Sequence, residues 1–269
     1  MILRIRLVAW HVFKESVRDR VLYTIVGFAL LLAGASVLIG QITAGQDLKI
    51  IKDLGLAAIE GAGLLIAGFT GIGLISREIS GRTIHSLLAK PLQRWEFIVG
   101  KYLGLLLTVL VTVALMTAAF YVMLAFMAWT APEGVRRSWE ARAADPELLL
   151  AVALILGELA LVTAIALCFS TFSSSALLSL AFTCGLWATG LESEQLRHFS
   201  DLTDSTMAPV VSAIGWILPA FSVFDVKTDV VHGHLIPATL VLWRLLYALV
   251  YSMATVGLSV VLFSRREFR

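Results

Sequence analysis

Six long apolar runs alternate with polar segments along the chain, at about 21–40, 55–75, 102–129, 148–169, 176–191 and 237–263. Each approaches the roughly 20 residues that a helix needs to cross the hydrocarbon core of a bilayer. The fifth run is short, and the third is long enough to tilt or to extend beyond the lipid. The pattern predicts an all-α membrane protein with six transmembrane helices. Residues 1–20 have a different rhythm. At about 100° per residue, Arg4, His11, Lys14, Glu15 and Arg18 share one arc, while Ile2, Ile5, Ala9, Trp10, Val12, Phe13 and Val17 cover the opposite side. Arg6 is the exception. This predicts an amphipathic helix lying in the membrane interface, with a plain extension of the first span into water as the alternative.

Two interruptions carry further information. Residues 76–101 are charged and broken by Pro91, and they predict a short helix, a stop and the start of the next span. Residues 207–224 are apolar but contain Pro209, Gly215 and Pro219, which makes a straight span a poor reading and predicts a re-entrant or interfacial segment between spans 5 and 6. A third link, 170–175, is a short Ser/Thr run in which hydroxyls can satisfy backbone groups at the helix ends. Gly55, Gly61, Gly63, Gly68, Gly71 and Gly73 crowd span 2 and predict close helix packing, within the subunit or at a contact with another subunit. Gly100 and Gly104 make one further Gly-x-x-x-Gly pair.

Composition places the chain in lipid. It has 269 residues, 59% of them apolar, with a mean hydropathy of +0.89, against about half apolar in soluble domains. The length suits one membrane domain over 1–269 without a sizeable soluble one, and the first 20 residues lack the apolar core and cleavage site of a signal peptide. If the N-terminus is cytoplasmic, the inside segments 1–20, 76–101, 170–175 and 264–269 hold 13 Lys/Arg and 5 Asp/Glu. The outside segments 41–54, 130–147 and 192–235 hold 7 and 12. The Lys/Arg bias therefore puts both termini in the cytoplasm. The net charge of +2 hides this asymmetry, and no basic patch with interleaved aromatics suggests nucleic acid.

Catalytic chemistry is poorly represented. The phosphate-loop pattern has no match, since Gly100-Lys101 is followed by Tyr102, and neither His-Glu-x-x-His nor Gly-x-Ser-x-Gly occurs. An intramembrane enzyme would need a nucleophile and a base at matching depth, and none stands out. His232 and His234 are a weak basis for a metal site compared with an ordinary polar loop. Cys168 and Cys184 fall inside spans, where they suit packing better than a disulfide. The ionisable residues within spans are Glu60, Glu158 and Arg244. A charge at that depth costs a few kcal/mol and should face the bundle or a wet cavity. Similar depth and opposite sign suggest that Arg244 pairs with Glu60 or Glu158, as a tether or along a transport path.

Residues 76–104 carry a more specific pattern. Glu78, Gly81, Thr83, Leu87, Leu88, Lys90, Pro91, Arg94, Glu96, Gly100 and Lys101 resemble the loop after the second span in permease subunits of ABC-2-type exporters. Arg82, inserted between the Gly and the Thr, is similar to the subgroup that serves maturation of nitrous-oxide reductase, a multicopper enzyme. The resemblance extends over the whole chain in plan. It implies that segment 78–90 is a cytoplasmic coupling helix docking in a groove of a separate ABC ATPase subunit. Glu78, Arg82, Arg94 and Glu96 would then be polar contacts and Ile84, Leu87 and Leu88 apolar ones. It further implies a second permease copy or a related permease, ATP and Mg held by the partner and no cofactor bound by this chain. An outer gate would form at 207–224, in a bacterial inner membrane. A membrane anchor or force-transmitting scaffold for such an ATPase, moving no solute, fits the same features.

Overall fold

The computed structural model describes residues 2–42, 47–80, 93–137, 139, 142–173, 175–198 and 207–265. Every regular element among them is a helix. The chain opens with α1 (Ile2–Val17), α2 (Arg20–Ile42) and α3 (Asp47–Ser80). Next come α4 (Arg94–Thr130), the short α5 (Glu133–Arg137), α6 (Glu147–Phe172), α7 (Ala176–Leu191) and α8 (Ser193–Arg197). The last part holds α9 (Ala208–Ile217), a 3-10 turn at Ser222–Phe224, α10 (Lys227–Val231) and α11 (Ala238–Arg265).

The centre is α6, for a reason visible in its sequence. It is apolar on every side, and a helix without a polar face is buried. It packs against α3, α4, α7 and α11. Its carbonyl-bonded Thr163 and the side chains of Leu154, Leu159, Leu161, Ala164, Ala166 and Leu167 are fully enclosed. Glycines on α3 allow the close approach: a Cβ at Gly63 would strike Leu159, one at Gly71 would crowd Ala166, and one at Gly55 would enter the ring of Phe120 on α4. These glycines of span 2 are therefore used inside the subunit. Gly61 meets nothing within 4 Å.

Four helices are long and apolar enough to cross a membrane: Leu48–Ile72 within α3, then α4, α6 and α11. A fifth crossing arises if the bent pair Pro209–Ile217 and Ser222–Val231 is one broken span. The apolar stretches Leu22–Ala35 and Ala176–Leu191 are shorter than a full crossing. The chain is thus a multi-pass helical membrane protein with four or five such crossings among the described residues. The helices run further than the apolar runs suggest. α3 begins at Asp47 and brings Lys52 into the bundle, and α4 begins at Arg94. Hydropathy marks where lipid begins; hydrogen bonding carries a helix on beyond it.

The start of α4, the end of α11 and the helix α1 seated on them share one end of the bundle, which we call the terminal end. At the opposite, far end Lys52 near the start of α3 meets Arg142, just before α6. At the α6–α7 joint the expected hydroxyl bonding is present: Ser175 N donates to Ser173 Oγ at 3.2 Å, Ser173 Oγ donates to Ser175 O at 3.0 Å and Ser179 Oγ donates to Phe169 O at 3.3 Å.

Candidate functional site

At the terminal end the root of the charged segment is described from Gln93 onward. Gln93 caps α4, and its backbone N–H donates to the Glu96 carboxylate at 3.2 Å, closing a capping box. Glu96 is 3% exposed and lies 3.8 Å from the Arg4 guanidinium of α1. Its carboxylate is thus turned inward, onto its own helix start and α1. Arg94 reaches across to α11, where its Nη1 donates to Ser264 O at 2.7 Å. Cations near the last carbonyls of a helix are favoured by its dipole. One turn further, Phe97 stacks on Phe263 of α11 with centroids 5.8 Å apart, and the buried Lys101 ammonium lies 4.7 Å from the Phe97 centroid. Glu78 belongs to α3, but its side chain is outside the described residues. Gly81, Arg82, Thr83, Ile84, Leu87, Leu88 and Pro91 also lie outside them.

The Gly100 and Gly104 pair has a clear role. A Cβ at Gly100 would strike Val8, and one at Gly104 would strike Val12 and the Ala9 carbonyl oxygen, all on α1. α1 is therefore seated directly on the first turns of α4, through Ile5, Val8, Ala9 and Val12. Ile2, Leu3, Leu7 and Trp10 remain exposed on its other apolar side. The amphipathic helix that the sequence predicts thus has two apolar faces, one for α4 and one free.

The polar groups within the bundle are paired differently from the sequence expectation. Lys227, at the start of α10, forms an ion pair and hydrogen bond with Glu60 of α3. The Trp187 indole of α7 donates to Glu158 of α6 at 2.8 Å. Arg244 pairs with neither carboxylate, and one of its guanidinium nitrogens is buried with no hydrogen-bond partner among the described residues. The chain folds back after Pro219, and this return carries Lys227 to Glu60. Depth alone could not reveal it. Lys52, in the polar segment 41–54, is 1% exposed, and its ammonium donates to the Arg142 carbonyl of segment 130–147 at 2.8 Å.

The far-end segment is tied down at several points. Pro209 stands in the first turn of α9, where its missing N–H costs nothing. Gly215 lets α9 press against α8, because a Cβ there would meet the backbone of Leu196 and Arg197. Arg197 donates to Gly215 O at 3.1 Å and lies 5.0 Å from the Trp216 centroid. Pro219 stands in the break between α9 and the next helical turn, a bend of 52°. Phe221 N donates to Gly190 O at 3.1 Å, Ala220 N to the Tyr247 hydroxyl at 2.9 Å, and the Tyr251 hydroxyl to Ile217 O. Among the described residues His232 and His234 make local bonds, to Thr228 and Asp229. Both cysteines are free.

A family model described as ABC-2 family transporter protein matches residues 6–190. The match spans α1 to α7, including the charged segment, and stops before the bent far-end helices. No curated protein matches the chain.

Proposed function

We propose a function that starts from kinship: this chain belongs to the ABC-2 transporter family. The family supplies the membrane component of ABC transporters, which is generally non-enzymatic and normally works with an ABC ATPase. In our reading the chain is the permease subunit of an exporter in a bacterial inner membrane, with both termini in the cytoplasm. ATP and Mg are bound by the partner ATPase. A second permease, identical or related, completes the path. Segment 78–90 is the coupling helix. Ile84, Leu87 and Leu88 enter a groove of the ATPase, with Glu78 and Arg82 at its polar rim. Gly81, Thr83 and Pro91 shape the segment.

The observation that carries this reading is the way the root of the segment is fastened. Arg94 holds the end of α11, Glu96 meets α1, and Gly100 and Gly104 seat α1 on α4. A push on the segment therefore reaches three helices at once, as rigid-body tilting of a permease requires. Arg94 and Glu96 act here as braces, and the ATPase contact falls to the residues before them. The ties at Gly215, Pro219 and Lys227 make the far-end segment a closed gate that such tilting would release.

The test is co-purification. The full chain should bring an ABC ATPase with it, and Leu88→Asp should abolish that association, whereas Arg94→Ala should keep the ATPase bound but lower transport-coupled hydrolysis. An ATPase retained equally by wild type and Leu88→Asp would overturn the coupling assignment. If the ATPase binds yet no solute moves in any nucleotide state, the scaffold reading replaces the exporter.

A further inference from the structure

Two carboxylates stand at a similar depth inside the bundle. Glu60 is twelve residues in from Leu48 and Glu158 eleven in from Glu147, about 17 Å along each helix. The bond from Lys52 to Arg142 brings these two helix starts together. Glu158 is the more enclosed, at 3% exposed. Its hydrogen-bond partner among the described residues is the Trp187 indole, a neutral donor.

The charges around Glu158 do not balance. Among the described residues Lys227 is the cation close enough to act on it, and Glu60 and Asp225 are the anions. Lys227 is already engaged, because its ammonium pairs with Glu60 and lies 3.8 Å from Asp225. The helices packed on α6 bring no second cation to this depth. On α3, Lys52 is about two turns from Glu60 and bonded to Arg142 O. α4 has no charged residue between Lys101 and Thr130, and α7 has none over Ala176–Leu191. Arg244 of α11 interacts with Asp229 and Asp225 instead. One ammonium thus faces two enclosed carboxyl groups and the half-exposed Asp225. A carboxyl group in a dry site without a cation of its own is neutralised by a proton.

We propose that Glu158 is a proton-binding residue, a neutral carboxylic acid in the resting protein whose proton keeps Lys227 on Glu60. When the O–H bond breaks, the electron pair stays on Glu158. The proton passes to water on the open side of the cluster, where the Asp225 side chain is 56% exposed. Glu158 then competes with Glu60 for the one ammonium, and the tie between α10 and α3 weakens. Rising pH loosens this tie and falling pH secures it. The inference goes beyond the permease reading and does not depend on an ATPase or a cargo.

The test uses the full chain purified into lipid nanodiscs. Infrared spectra in D2O at mildly acidic to neutral pH should show the C=O stretch of a protonated carboxyl group. Glu158→Gln should remove that band and Glu60→Gln should retain it. Trp187→Phe should move it to higher frequency, because the carbonyl oxygen loses a hydrogen-bond donor. Melting temperature gives a second readout. Deprotonation of an enclosed carboxyl group destabilises the folded state, so wild type should lose stability as pH rises. Glu158→Gln is neutral at every pH, and its melting temperature should exceed that of wild type by a margin that grows with pH. Absence of the band in wild type, its survival in Glu158→Gln, or a melting difference that does not change with pH would each overturn the proposal. Should Glu158→Gln fail to fold, Trp187→Phe decides, and an unshifted band there refutes the assignment.

Discussion

Glycine carries much of the specificity at the residue scale, by what it leaves out. Gly104 faces the Ala9 carbonyl and Val12, so Gly104→Leu must push α1 off α4. Overpacking of this kind costs about 1–3 kcal/mol. The expected outcome is a lower melting temperature in detergent and faster proteolysis within residues 2–17, neither of which Gly61→Leu should produce, since Gly61 is open. Charge gives the second residue-scale prediction. Lys227→Ala leaves the largely buried Glu60 without its cation, and removing one partner of a buried pair costs about 3 kcal/mol. A double-mutant cycle in thermal unfolding should show coupling between Glu60 and Lys227. Glu60 and Arg244 should be additive to within about 0.5 kcal/mol. Additivity at Glu60 and Lys227 would refute the pairing.

At the scale of elements, much was legible in the apolar pattern and some was not. The amphipathic start became α1, the break at Pro209 and Pro219 became a bent pair of helices, and the Ser/Thr link became a hydrogen-bonded joint. Hydrophobicity reports the solvent of a segment, and these features concern solvent. It does not report neighbours. The sequence therefore predicted neither that Gly100 and Gly104 would receive α1 rather than a second span, nor that α3 would extend to Asp47 and bury Lys52. Glu96 was legible as polar, but its inward turn follows from the cap at Gln93. Arg94 gives the element-scale prediction. Without its bond to Ser264 O the last turn of α11 loses a charge-assisted partner, so Arg94→Ala should speed hydrogen exchange at the C-terminal amides of α11 and leave those near Ala248 unchanged. Equal exchange in both variants would mean that Arg94 does not brace that helix.

For the whole molecule, the arrangement is a central apolar helix with its polar ties at the two ends. α6 holds the bundle together mainly by packing, with the Trp187–Glu158 hydrogen bond tying it to α7, whereas the terminal-end bonds among α1, α4 and α11 and the far-end pair between α3 and α10 are separate sets. Movement that breaks one set need not break the other. Simultaneous Lys227→Ala and Arg94→Ala substitutions should therefore be additive in stability, because they share no partner. Strong non-additivity, measured by denaturation of the purified chain, would show that the two ends already communicate in the resting protein.

The bond from Lys52 to the Arg142 carbonyl spans 90 residues of sequence. During synthesis the second apolar segment thus enters the membrane carrying an ammonium whose acceptor has not yet been made. Until the ribosome passes Arg142, that group must be satisfied by water or by headgroups, so a prematurely terminated chain exposes a polar flaw to membrane quality control that the finished protein conceals.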